Sequence, residues 1–402
     1  MTDLQQGILT LVKSAIMDQP FPLPSGFALE DAIDLSREHE LTPLICEGAV
    51  NCGIHNSPVF RSLLQESCQH LLASERQAGL VRSIFRTFNE NGIDYMPVKG
   101  CLMKQRYPKH EFRPMGDADI LVRTEQYDQI RPLMLQLGFK EDAESNHEYI
   151  WNSVSLHVEL HKRLVPSYNK DYYSYFGDGW RLASSKQGTR YAMKPEDEFI
   201  YLFVHMAKHY RDGGIGCRQM VDLWVHRRCF PEMDEEYLRR ELKKLQLLEF
   251  YDNILRTLKV WFEDGKADEI TELITSFIFA SGAWGHEEIH LLSEAVKNRK
   301  LAGSAWGGKL RFLITNAFPP YLNMAMDFPV LKKLPFLLPF IWPVRWVDLL
   351  FFRRQRMLEK RELIRNATAD KVQAYHHQLN AVGLDFRFRE KGSSSDSEEH
   401  KG

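Results

Sequence analysis

The chain has 402 residues, 44% of them hydrophobic and 26% charged, with a formal net charge of −2. Such a length exceeds one compact core and points to two or three domains, with the composition of ordinary globular protein. The charge excludes a chain that coats nucleic acid through bulk electrostatics, although a local basic groove stays open.

The first twenty residues, MTDLQQGILTLVKSAIMDQP, set Asp3, Gln5, Gln6 and Lys13 into an apolar pattern. That reads as an amphipathic helix and not as a signal peptide. Helical spacing continues through residues 1–90, with the longest run from Pro58 to Asn89 and a stop at Asn91-Gly92. The pattern then changes. Ile93 to Val98 predicts a strand, Gly100 to Tyr107 a short helix, Ala118 to Arg123 a second strand, and Glu125 to Leu137 a helix ending at Gly138. Strands around Glu148–Trp151 and Val154–His161 follow, split by the polar turn Asn152-Ser153. Residues 91–192 therefore form an α/β core, and the chain as a whole is α+β, a small mixed sheet flanked by helical regions.

From Pro195 the helices return, over Glu196–Tyr210, Arg218–Arg228 and Glu235–Phe262, giving a helical domain over 193–327. A hydrophobic arm and terminal helix take 328–385. The polar tail 386–402, ending GSSSDSEEHKG, is expected to be disordered. Six cysteines without a C-x-x-C pair read as reduced, buried thiols, and the cytoplasm is the expected location.

The chemistry concentrates in Arg113–Val122, RPMGDADILV. Alternate side chains of a strand share a face, so Asp117 and Asp119 project together. Two adjacent carboxylates repel unless a cation lies between them. Gly116 leaves room for a ligand beside the backbone, and oxygen ligands suit Mg²⁺ or Mn²⁺. A lone D-x-D also arises in solvated acidic turns. The segment Val154–His161, VSLHVELH, adds a second signal. Val154, Leu156, Val158 and Leu160 make its apolar face, and Ser155, His157, Glu159 and His161 its polar one. An antiparallel neighbour would present Glu159 to the Asp pair, completing the three carboxylates that in-line nucleotidyl transfer uses. The same H-x-E-x-H face also suits zinc, but the Asp pair favours a hard ion.

The run Val98-Lys99-Gly100, Tyr107, Arg113–Val122 and Leu137-Gly138-Phe139 is similar to the uncharacterised nucleotidyltransferase family of bacteria, within the polymerase-β-like superfamily. Leu156–His161, His205-x-x-x-His209 and Met220-Val-Asp-Leu223 resemble its pattern in the same order. The resemblance implies Asp117 and Asp119 as the metal pair, Glu159 as third carboxylate, and an NTP as co-substrate. Lys99-Gly100 stands where superfamily members have Gly-Ser or Gly-Gly, so the hydroxyl expected on the γ-phosphate is missing and Cys101 follows instead. The helix N-terminus and Lys99 remain to hold an anion, and Arg113 is expected to neutralise phosphate charge.

The resemblance leaves the acceptor open among a sugar, a metabolite, an RNA end and a protein side chain. Two other readings stand beside the transferase: a toxin that modifies tRNA or another target, and a non-catalytic nucleotide sensor or scaffold. His205 and His209, one helical turn apart, either line the nucleotide cleft or are boundary histidines with local partners. Arg218 and Asp222 are spaced as a helical ion pair. Residues 328–352 read FPVLKKLPFLLPFIWPVRWVDLLFF. The uninterrupted apolar part is too short to span a bilayer, and Pro335, Pro339 and Pro343 argue against a regular helix. The stretch is either a buried hydrophobic arm or, with Lys332, Lys333, Arg353, Arg354 and Arg356 at its edges, a peripheral contact for an anionic membrane through 328–356.

Overall fold

The computed structural model describes residues 1–283 except 146 and 168, isolated positions between 289 and 328, and residues 330–351 and 369–384. The expected disordered tail and the arginines at 353, 354 and 356 lie outside the described residues. The fold is α+β, as the sequence predicts. The chain divides into two compact units, Met1–Lys208 with Ile215–Ala283, and His209–Gly214 with the described residues between 284 and 386.

The first unit opens with α1 (Asp3–Met17), α2 (Leu29–Glu38), α3 (Thr42–Asn51) and α4 (Pro58–Glu90). Thr2 caps α1 reciprocally: its hydroxyl accepts from Gln5 N at 3.2 Å, and Gln5 Oε1 accepts from Thr2 N at 3.0 Å. Ser57 caps α4 by accepting from Phe60 N, and Pro58 occupies the first turn, where its missing N–H costs nothing.

Seven strands make one sheet: β1 (Tyr95–Pro97), β2 (Asp117–Val122), β3 (Lys140–Glu144), β4 (Glu148–Asn152), β5 (His157–His161), β6 (Ala183–Gln187) and β7 (Arg190–Met193). Their spatial order is β3-β4-β5-β2-β1-β7-β6, with β2–β5 and β1–β7 parallel and the other neighbours antiparallel. Helix α5 (Lys99–Met103) follows β1, and α6 (Tyr127–Gln136) follows β2. One sheet face is core. Ala118, Ile120 and Val122 of β2 and Val158 and Leu160 of β5 pack with Val81, Ile84 and Phe88 of α4 and Ile130 and Met134 of α6. The alternation of β2 and β5 therefore sends Asp117, Asp119, His157, Glu159 and His161 to the opposite face. Val154 departs from its expected apolar face. It is fully exposed in the turn before β5, where Ser153 Oγ accepts from Leu156 N and Ser155 N.

Helix α7 (Lys170–Phe176) precedes α8 (Pro195–Asp212), α9 (Cys217–Cys229), α10 (Glu235–Lys244), α11 (Leu248–Phe262) and α12 (Glu269–Ser281). The single helix expected over Glu235–Phe262 is two. Gln246 takes a φ of 55° and turns the chain between them. Cys46, Cys101 and Cys217 are buried thiols as expected, whereas Cys68 and Cys229 are exposed.

In the second unit, α13 (Val330–Lys333), a 3-10 turn over Pro335–Leu337, α14 (Leu338–Phe351) and α15 (Ala369–Ala381) are described. The expectation that prolines prevent a regular helix here is corrected. Pro335 opens the 3-10 turn, Pro339 sits in the first turn of α14, and Pro343 is carried inside the helix. Nor is the stretch simply a buried arm. Leu337, Leu338, Ile341 and Trp342 pack on buried Met324 and Leu331, while Phe336, Phe340, Val344 and Val347 form an exposed stripe at helical spacing. Among the described residues no helix is long and apolar enough to cross a membrane.

Candidate active site

The polar sheet face is set by register. Parallel pairing of β2 with β5 places Asp117 beside His157, Asp119 beside Glu159 and Leu121 beside His161. The antiparallel neighbour expected from the sequence is thus a parallel one, and side-chain alternation still brings Glu159 to Asp119. Antiparallel β4 then sets Glu148 against His161.

Asp119 is the centre of the arrangement. Its Oδ1 accepts from Lys99 Nζ at 2.7 Å and lies 2.8 Å from His161 Nε2, which is itself 3.4 Å from Glu159 Oε2. Asp119 and His161 are each 2% exposed and Glu159 is 20% exposed, so one edge of the cluster opens to ligand. Lys99 reaches inward from the start of α5 with a φ of 45°, a region that non-glycine residues seldom occupy. Beside it, a Cβ on Gly100 would lie 3.2 Å from Met115 Cγ, so glycine lets α5 sit close to the segment carrying the Asp pair.

Charge follows from these contacts. Burial alone would raise the Asp119 carboxyl, but Lys99 and His161 overcome it and hold the group well below the usual carboxylate range. Burial likewise opposes the charge on Lys99, and Asp119 restores it and keeps the ammonium protonated. Asp117 has no such rescue. Burial first, and the charge of Asp119 second, push it up to about 6, with Lys99 opposing.

Lys99 and His161 also line a cavity with His147, Leu164, Val165, Pro166, Asn169 and Tyr172, closed by Tyr201, Val204, His205 and Lys208 of α8. Of the two helix histidines, His205 lines this cavity. His209 begins the second unit and is not among its lining residues. Arg113 is turned elsewhere: Nε and Nη2 reach Asp222 of α9 at 3.1 and 3.0 Å, and Tyr107 donates to the same carboxylate at 2.7 Å. Arg218, the sequence partner of Asp222, instead pairs with Glu40. Gly116 is exposed just before β2. Cys101 is buried in the hydrophobic core and does not line this cavity, so it offers no substitute there for the missing hydroxyl.

A family model described as an uncharacterised nucleotidyltransferase matches residues 25–263, which span α2 to α11 and every strand. The chain belongs to the uncharacterised nucleotidyltransferase family. No curated protein and no solved structure matches it.

Nucleotidyltransferase chemistry implies a divalent ion, and the residues present fit one. Ligand atoms of Asp119, Glu159 and His161 lie within 4.8 Å of one another, and Asp117 beside them, raised by burial first and by the charge of Asp119 second, is a carboxyl whose ionised form a cation would favour. His161 belongs to this group, which the sequence marks only through the H-x-E-x-H face that also suits zinc. Tyr201 and Lys208 carry no sequence signal, since they reach the cavity from a helix far along the chain.

The raised Asp117 carboxyl has a measurable consequence. A carboxyl raised by folding contributes a penalty that grows as pH climbs from its unfolded value, about 3.9, toward 6 and persists above it. Asp117→Asn is expected to stabilise the metal-free protein by about 1–2 kcal/mol at pH 7.5 and little at pH 3.5. Denaturant unfolding at both pH values tests this, and a gain independent of pH would count against it.

Proposed function

We propose that the protein transfers a nucleoside monophosphate from an NTP to an acceptor and releases pyrophosphate. The observation that carries the reading is the pairing of Asp119 with Glu159 across β2 and β5, with Asp117 on the same face and the cluster open at Glu159. Asp117, Asp119 and Glu159 would hold Mg²⁺ or Mn²⁺, which when bound supplies charge neutralisation for the triphosphate. Lys99, released from Asp119 as that charge is shared, turns its ammonium to the phosphates. His205 and Lys208 add positive charge or donors from the cavity wall. Glu159 accepts the acceptor's proton. Leu164, Val165, Pro166 and Tyr172 offer an apolar surface that excludes water from the substrate.

The test is incubation with each α-³²P-labelled NTP and Mg²⁺ in cell extract, followed by separation of small molecules, RNA and protein. The expected result is one labelled class, with labelling lowered at least about a hundredfold by Glu159→Gln while nucleotide binding is retained. Equal labelling by Glu159→Gln would remove that residue from the chemistry. The Lys99–Asp119 pair favours a second reading, because it neutralises the central carboxylate without an ion: a nucleotide sensor that binds NTP without turnover. Nucleotide binding with no pyrophosphate released would support it.

We also propose a peripheral contact between the exposed Phe336, Phe340, Val344 and Val347 stripe and an anionic membrane. Flotation with anionic liposomes at low salt is expected to carry the protein upward, and Phe336→Ser with Phe340→Ser to leave it below. Wild-type protein that stays in the soluble fraction would end this proposal.

A further inference from the structure

Beside the carboxylate cluster lies a second group of potential ligands that shares only His161 with it: His147, Glu148 and His161, with ligand atoms within 4.8 Å of one another. His161 spans both groups. Its Nε2 faces Asp119 and Glu159, and its Nδ1, buried and without a hydrogen-bond partner among the described residues, lies 3.9 Å from Glu148 Oε2. A buried imidazole nitrogen left unpaired is costly, and its presence calls for a ligand. On the other side of Glu148 Oε2, His147 Nε2 stands at 2.8 Å.

The surrounding bonds fix these atoms toward one another. Ser145 Oγ lies 3.3 Å from His147 Nδ1 and donates to Glu148 Oε1 at 3.3 Å. Ser145 Oγ beside Nδ1 holds the ring so that Nε2 faces Glu148 Oε2, and an ion bound there would take over that contact, with Ser145 as the supporting partner often found behind a metal-bound histidine. Donors about 2.1 Å from a tetrahedral ion stand about 3.4 Å apart. The observed 2.8 and 3.9 Å bracket that spacing, and all three ligand atoms lie within 4.8 Å of one another.

We propose that His147, Glu148 and His161 form a second metal site, selective for a transition-metal divalent cation such as Zn²⁺. Two imidazoles and one carboxylate favour a borderline ion over Mg²⁺, which prefers oxygen ligands. The site sits where β4 meets β5. His147 and His161 both line the cavity, so a fourth coordination position faces the space where substrate would lie. The imidazole of His161 joins the two centres. This assignment stands independently of the transfer reaction, because it concerns binding and not turnover.

The test is titration of the purified full-length protein with Co²⁺ in excess Mg²⁺, read by visible absorption. The parent is expected to bind one Co²⁺ that Zn²⁺ displaces and Mg²⁺ does not. His147→Gln and Glu148→Gln are expected to weaken that binding at least about tenfold, and Ser145→Ala, which keeps all three ligands, by about tenfold. Glu159→Gln retains the Co²⁺ spectrum, separating this centre from the carboxylate one. No Co²⁺ absorption in the parent, or parent affinity in both His147→Gln and Ser145→Ala, would overturn the assignment. Thermal unfolding identifies any ligand variant that fails to fold, and Ser145→Ala then decides.

Discussion

Asp119→Asn is expected to lower metal-dependent transfer by about 10²–10⁴-fold, the largest single loss in the protein. Asn keeps the shape and one acceptor oxygen, so Lys99 and His161 can still bond to it, but the negative charge on which both depend is gone. The same change therefore costs about 2 kcal/mol of stability, the scale of a hydrogen bond to a charged group. Chemistry and bracing separate in a second variant. Lys99→Met placed on Asp119→Asn removes the stranded ammonium and is expected to recover stability without recovering turnover. Denaturant unfolding beside pyrophosphate release measures both. Full activity in Asp119→Asn would move the catalytic centre elsewhere, and unchanged stability would show that the Lys99 pair contributes nothing net.

The legible parts of this site were those written in local pattern. Asp117 and Asp119 alternate within β2, Glu159 and His161 alternate within β5, and the core residues between them keep the two faces apart. Period two in each strand suffices to predict which side chains share a face. Whether β5 runs parallel or antiparallel to β2 depends on chain connection, which the pattern does not encode, and there the expectation failed. Lys99 was legible as a cation near phosphate but not as the partner of Asp119, because that contact joins positions 20 residues apart in sequence. His147 and Glu148 stand at the start of β4 and acquire meaning only when β4 lies against β5. The break at Gln246 was hidden for another reason: apolar spacing continues across it, and only a backbone φ of 55° turns the chain.

Arg113 shows the same limit and carries the largest expected loss of stability. Adjacent to the Asp pair in sequence, it reads as a phosphate ligand, yet its guanidinium grips Asp222 with two bonds and is shut from solvent at 8% exposure. Nη1 also donates to Pro114 O at 2.6 Å, and Lys104 Nζ donates to the Arg113 carbonyl at 3.2 Å. Burial opposes the guanidinium charge and Asp222 more than restores it. The pair thereby ties the loop entering β2 to α9, holding the strand that presents Asp117 and Asp119. Arg113→Met leaves the Asp222 carboxylate buried without its two-pronged partner, although Tyr107 still donates to it, and removal of one partner from a buried pair costs about 3–5 kcal/mol. Arg113→Lys is expected to lose nearly as much, since an ammonium cannot reproduce the two-pronged bond. Adding Asp222→Leu to Arg113→Met removes the stranded charge and is expected to restore much of the stability. Chemical denaturation of the three variants provides the measurement. A phosphate-binding role would give the opposite result: Arg113→Met would unfold at the wild-type midpoint and show its defect only as a raised KM for NTP.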